Sequence, residues 1–171
     1  MANLSTSRMI DDIAQKYGAS VLRSAVGEAN VAAVMTQHSA VIGGEGNGGV
    51  ILPESSLIRD SLIGIALVLE LLARRKQKLS AIVSEIPVYA IIKDKMPVDA
   101  NIVAKLKPVL GEAFKQQKID TQDGVRIDWP DSWVHVRASN TEPILRLIAE
   151  ARDEATARDL ISHVRKALGI V

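Results

Sequence analysis

Val136-Arg137-Ala138-Ser139-Asn140-Thr141-Glu142-Pro143-Ile144-Leu145-Arg146 reads as the end of one strand, a polar turn and the start of another. Two arginines flank a Ser-Asn-Thr turn, an arrangement suited to an anion with several oxygens. Guanidinium groups supply planar charge-assisted donors, and the hydroxyls, the amide and the backbone N–H groups of a tight turn fill the remaining acceptor sites. A phosphate ester is the natural guest. The same residues equally suit an ordinary polar turn with each arginine in a surface ion pair.

Working outward, strands are predicted over Gly124 to Trp129, Ser132 to Ala138 and Ile144 to Ala151, with Pro130-Asp131 turning the first hairpin. An alternating strand, Val88 to Met96, precedes them, and Pro97 and Asp99 open a helix running to about Gln116. Asp153 to Leu168 closes the chain as an amphipathic helix with Ala157, Leu160, Ile161, Val164 and Leu168 on one face. This β-α-β-β-β-α order predicts an antiparallel sheet covered by two helices.

The first half has a different pattern. Ser5 or Thr6 is positioned to cap a helix carrying Met9, Ile10, Ile13, Ala14 and Tyr17 and ending at Gly18. A short strand (Ser20 to Val26), a helix (Gly27 to Gln37) and a strand (Ala40 to Gly43) follow. Asp60 to Arg75 is the strongest helix, with an apolar surface broad enough to predict burial on more than one side. A short helix, Leu79 to Glu85, leads into a turn that sets a domain boundary at residue 86.

Between these elements lies Gly43-Gly44-Glu45-Gly46-Asn47-Gly48-Gly49. Five glycines in seven positions let the backbone approach a ligand closely. The remaining carboxylate and amide suit paired sugar hydroxyls. Such a loop also fits a flexible connection, although no Gly-Lys-Ser/Thr follows to make a P-loop.

Together the two segments resemble the α-D-phosphohexomutases, the family of phosphoglucomutase, phosphomannomutase and phosphoglucosamine mutase. The sugar loop there reads Gly-Glu-x-Ser-Gly, which Gly44-Glu45-Gly46-Asn47-Gly48 matches with Asn47 in place of serine. The phosphate loop reads Arg-x-Ser-Asn-Thr-Glu-Pro, reproduced by Arg137 to Pro143. Arg23 to Glu28, Arg59-Asp60 and Asp123 to Ile127 are supporting matches. The resemblance implies a mixed α/β and α+β chain: a partial α/β three-layer domain over 1–86 and an antiparallel-sheet domain over 87–171.

By resemblance, Arg137, Ser139, Asn140 and Thr141 hold the substrate phosphate with Arg146 in support. Gly44, Glu45, Gly46, Asn47 and Gly48 grip the sugar, and Gly27-Glu28 matches a further active-site segment that fits a helix N-cap charge equally well. The family interconverts hexose 1-phosphates and 6-phosphates through a bisphosphorylated intermediate. Its phosphorylated serine stands in a Ser-His-Asn-Pro-like loop and its magnesium in an Asp-x-Asp-x-Asp loop, and neither run occurs in the 171 residues. The expectation is thus a recognition portion with no catalytic or metal residues of its own, magnesium belonging to the intact enzyme. A stand-alone phosphosugar-binding module and one chain of a split mutase are the alternatives. Partners expected are a hexose phosphate and the N-terminal mutase domains, or a second copy through an open edge strand at the chain start.

Composition excludes other classes. Hydrophobic residues at 47% suffice for a core, and a net charge of +1 does not suggest a polyanion partner. Aromatic content of 3% argues against base stacking, so no nucleic-acid partner is expected. The most apolar run, Leu62 to Ala73, is broken by Glu70 and too short to span a bilayer. The lack of cysteine suits a cytoplasmic protein, and no basic-then-apolar leader opens the chain. His38, His135 and His163 have no metal-ligand spacing. His135 is expected in a surface or sheet-packing role, and Trp129 and Trp133 in packing rather than sugar stacking.

Overall fold

Alternation along Val125-Arg126-Ile127-Asp128 and Val134-His135-Val136-Arg137 sends aliphatic side chains to one sheet face and polar ones to the other. The computed structural model, which describes residues 1–139 and 141–170, carries this through the second of two compact units, Met1–Val88 and Tyr89–Val171. Strands β5 (Ala90–Pro97), β6 (Lys118–Asp120), β7 (Val125–Asp128), β8 (Trp133–Ala138) and β9 (Ile144–Ala151) are numbered after four in the first unit. They form one antiparallel sheet in the order β5-β9-β8-β7-β6. β6 lies outside the predicted pattern, because its three residues carry a single aliphatic side chain.

Val125, Ile127, Val134, Val136, Leu145 and Leu147 are fully buried on one face, packed with α5 (Ala100–Ala113) and α6 (Glu154–Ala167). Each such side chain contributes about 1.5–3 kcal/mol through burial. Asp99 and Asp153 cap the two helices, accepting from Ile102 N (3.0 Å) and Thr156 N (2.8 Å). Ala157, Leu160, Ile161 and Val164 of α6 are buried as its periodicity predicts.

The first unit is built from much shorter strands: β1 (Ala2–Asn3), β2 (Arg23–Ser24), β3 (Gly43–Gly44) and β4 (Val50–Ile51), in the order β2-β1-β3-β4. β1 runs parallel to β2 and β3, and β3 pairs antiparallel with β4. The open edge expected at the chain start is therefore filled, since β1 is paired on both sides. The true edges, β2 and β4, are two residues long, too short to template strand addition readily.

Helices α1 (Met9–Lys16), α2 (Glu28–His38), α3 (Ser61–Arg75) and α4 (Leu79–Val83) complete this unit. Neither Ser5 nor Thr6 caps α1. Thr6 Oγ1 donates to Asn3 Oδ1, and Ser7 Oγ instead accepts from Met9 N at 3.1 Å. Asp60 does cap α3, accepting from Leu62 N and Ile63 N. The burial predicted for α3 is not found: none of its residues is buried, and Leu62 and Leu69 are 76% and 59% exposed. Its packing is against β4, a strand too short to cover so wide an apolar surface. An apolar cavity of about 640 Å³ lies in the same unit, lined by residues such as Ile10, Ile13, Tyr17, Val41 and Ile42. Among the described residues, no helix is long and apolar enough to cross a membrane.

Candidate functional site

The pleat puts Arg137 and Arg146 on the sheet face opposite α5 and α6. The two are direct cross-strand partners in the β8–β9 register, so like charges stand side by side. Such pairs are unfavourable unless something negative lies between or beside them. Arg137 has a loose ion pair, its Nη1 lying 3.7 Å from Asp123 Oδ2, while Arg146 Nη2 donates to Glu142 Oε2 at 3.1 Å. The Nε donors of both arginines are buried without an acceptor among the described residues. Each guanidinium thus has a carboxylate at its margin but keeps an open Nε donor.

The turn that joins these strands closes through Ser139 N donating to Ile144 O at 2.9 Å. Ser139 Oγ lies 3.4 Å from Thr141 Oγ1, so the two hydroxyls sit together in the turn that follows Arg137 in the chain. Asn140, the remaining predicted member, falls outside the described residues. The second unit therefore brings Arg137, Arg146, Ser139 and Thr141 together at one end of a sheet.

Two further residues set Arg137, and both lie in the run quoted above as a supporting match. Gly124 has φ +68°, and a Cβ there would stand 2.2 Å from Val136 O and 2.7 Å from Arg137 Cβ. Its missing side chain is what lets the β7 entry lie against Arg137. The neighbouring Asp123 carbonyl accepts from His135 Nε2–H at 2.6 Å, since a carbonyl can only accept. His135 is fully buried, and burial pushes its pKa below the usual value, with Arg126 and Arg137 adding to the effect.

His135 is held neutral, and the sign of its pH effect follows. With the folded pKa below the unfolded value of about 6.5, stability is intact above that pH and is lost as pH falls towards the folded pKa. The urea midpoint of the second unit, followed by tryptophan fluorescence, should fall between pH 7.5 and 5 more steeply in the parent than in His135→Gln. Equal slopes would exclude His135 as the source.

Trp133 is fully buried on the same face, donating from Nε1 to Glu150 Oε1 at 2.8 Å, with the Arg126 guanidinium 4.2 Å above its ring. Trp129 meets Phe114 edge-on at 5.8 Å. Both tryptophans pack.

In the first unit the glycine loop is a tight hairpin between β3 and β4, closed by Glu45 N to Gly49 O and Gly48 N to Glu45 O, both 3.1 Å. A Cβ on Gly44 would meet Gly49 O at 2.3 Å, and Gly48 has φ +93°. Gly46 passes close to Thr6, where a Cβ would sit 3.3 Å from its Cα. Asn47, exposed at the tip, accepts from Gly49 N through Oδ1 at 3.2 Å.

Glu45 is more constrained than its sequence suggests. Its side chain is only 7% exposed, and Oε1 accepts from Asn3 Nδ2 (2.9 Å) and Gly27 N (3.1 Å). Glu45 Oε2 faces Arg59 Nη1 at 3.5 Å. Arg59 in turn grips Glu28, whose carboxyl accepts from the Arg59 backbone N and Nε at 2.7 and 2.8 Å. The backbone and side-chain bonds from Arg59 hold the Glu28 carboxyl below its usual pKa. Asn3 was not legible as a partner of Glu45, because the contact joins positions 42 apart, while Arg59 was legible only as a supporting match.

Residues 1–89 match the family model described as phosphoglucomutase/phosphomannomutase, alpha/beta/alpha domain III, and residues 88–167 match that of the C-terminal domain. The chain belongs to this family. A phosphoglucomutase/phosphomannomutase of Thermococcus kodakarensis is 41% identical over 94% of the chain, and a probable phosphoglucosamine mutase of Methanopyrus kandleri is 35% identical over 92%. A solved phosphoglucomutase/phosphomannomutase family protein of Burkholderia thailandensis superposes with a TM-score of 0.82 at 25% identity, over 98% of the chain. The chain spans about a third of the length of these relatives: 36%, 35% and 36% respectively.

Family membership brings magnesium into question. Among the described residues no group of three His, Cys, Asp or Glu side chains is placed to hold a metal ion. The donor set of these residues does not fit one.

Proposed function

We propose that this chain is the substrate-recognition part of a phosphohexomutase that interconverts hexose 1-phosphate and 6-phosphate. The observation that carries the reading is the cross-strand Arg137–Arg146 pair, each with an open Nε donor, at the turn that holds the Ser139 and Thr141 hydroxyls. A phosphoryl group supplies acceptors for these open donors, and guanidinium forks match its oxygens.

The rest of the role follows from what phosphoryl transfer demands. Catalysis of this kind depends on positioning and charge stabilisation, so a phosphate that is not reacting must be held while the other end reacts. Arg137, Ser139, Asn140, Thr141 and Arg146 take the first task. Glu45, through Oε2, and Asn47, through its amide, take hydroxyls of the sugar, with Gly44, Gly46 and Gly48 shaping the loop. The serine and magnesium loops of the family are outside these residues, so the chain alone is expected to bind without turnover. A cytoplasmic setting accords with a hexose phosphate substrate and a cysteine-free sequence.

Calorimetric titration of the chain with glucose 6-phosphate and with glucose tests the reading. Binding should require the phosphate; equal affinity for the two would reject it. Glu45→Gln keeps the shape of the loop while removing its charge. This variant should weaken glucose 6-phosphate by about fivefold and leave inorganic phosphate unchanged. Equal losses for both ligands would take Glu45 out of the sugar role.

A further inference from the structure

The register of β5 against β9 adds a residue to the phosphate row. Lys95 is the cross-strand partner of Arg146, which is itself the partner of Arg137. Lys95, Arg146 and Arg137 therefore lie side by side across three adjacent strands, one pleat step from the turn. Asp94, the nearest carboxylate in sequence, points to the other face and pairs with Arg165 of α6 at 2.6 Å. Lys95 is exposed, and no carboxylate among the described residues pairs with its ammonium. Three adjacent cations with two carboxylates at the margins form a seat that favours a doubly charged guest over a singly charged one.

We infer that Lys95 is a third cation of the phosphate seat and sets its preference for a phosphoryl dianion. This rests on the phosphate reading of the Arg137 turn. A lysine on an edge strand also serves to discourage strand addition. Lys93 provides the comparison. It shares the strand, the face and the charge with Lys95 but stands opposite Ile148, one row further from the turn.

The test is a titration of the parent chain, Lys95→Gln, Lys93→Gln and Arg137→Ala with glucose 6-phosphate and glucose 6-sulfate. The sulfate ester carries one negative charge where the phosphate carries nearly two at pH 7.5. Lys95→Gln should bind the phosphate about tenfold more weakly and lose part of the phosphate-over-sulfate preference, while Lys93→Gln stays within about twofold of the parent. Unchanged binding in Lys95→Gln, with Arg137→Ala strongly impaired, overturns the role of Lys95 and leaves the phosphate seat standing. Equal weakening by both lysine variants replaces it with a diffuse positive field. Failure of the parent to bind either ester overturns the phosphate reading and this inference with it.

Discussion

Arg137→Ala should lower the affinity of the chain for glucose 6-phosphate on the order of a hundredfold, the value of a charge-assisted bidentate contact in a partly desolvated site. Its side chain is 16% exposed against 42% for Arg146, so its charge is the less screened of the two. The loss should not reflect unfolding. Removing Arg137 relieves a like-charge cross-strand neighbour, and the pair it leaves with Asp123 is loose. Thermal unfolding should therefore move little while calorimetry registers the whole effect. Arg137→Lys separates charge from geometry: it keeps the positive centre, loses the planar fork and should fall between parent and alanine. Retention of affinity within about threefold by Arg137→Ala would remove the turn from substrate binding.

The second large effect is conformational. Gly124→Val should destabilise the second unit by about 3 kcal/mol or more, because the left-handed φ of +68° and the occupied space act together. The atoms in the way are the Val136 carbonyl and the Arg137 Cα and Cβ, so no flexible side chain can step aside. Any fold that survives must push β7 from β8 at the point where Arg137 is set, coupling lost stability to weakened phosphate binding. Both tryptophans lie in this unit, so fluorescence-detected urea unfolding reports it directly. Gly111 is the control: it sits in α5 with nothing within 4 Å of its position, and Gly111→Ala should be neutral or stabilising. Similar midpoints for the two variants would contradict the packing argument.

The second unit was the more legible half in sequence, for a physical reason. Its strands β5 and β9 are eight residues long, long enough for alternation to register, and Asp99 and Asp153 announce their helices by side-chain caps. Two-residue strands leave no period to read, which is why Ser20 to Val26 shrank to Arg23–Ser24 and Ala40 to Gly43 shifted to Gly43–Gly44. The apolar breadth of α3 was legible, but not what packs against it.

The site divides along similar lines. Arg137, Ser139 and Thr141 are neighbours in sequence, and strand geometry alone brings Arg146 back beside them. Asn3 reaches Glu45 across 42 positions and Arg59 reaches Glu28 across 31, distances over which composition carries no signal. Lys95 becomes visible only once strand register is known.

The pleat described for β8 and β9 also bears on how such a protein can change. Arg137 and Arg146 alternate with Val136, Leu145 and Leu147, so the proposed ligand contacts and the hydrophobic packing occupy interleaved positions on opposite sides of one sheet. Substitution at Arg137 or Arg146 can change what this end of the sheet binds while leaving the aliphatic residues between them in place, whereas Trp133 and His135, buried on the same face, are not free in this way. Insertions enjoy no such freedom: a single added residue inside either strand exchanges the two sets, placing guanidinium groups in the core and aliphatic side chains in the seat. Specificity here is open to drift by substitution and closed to drift by length.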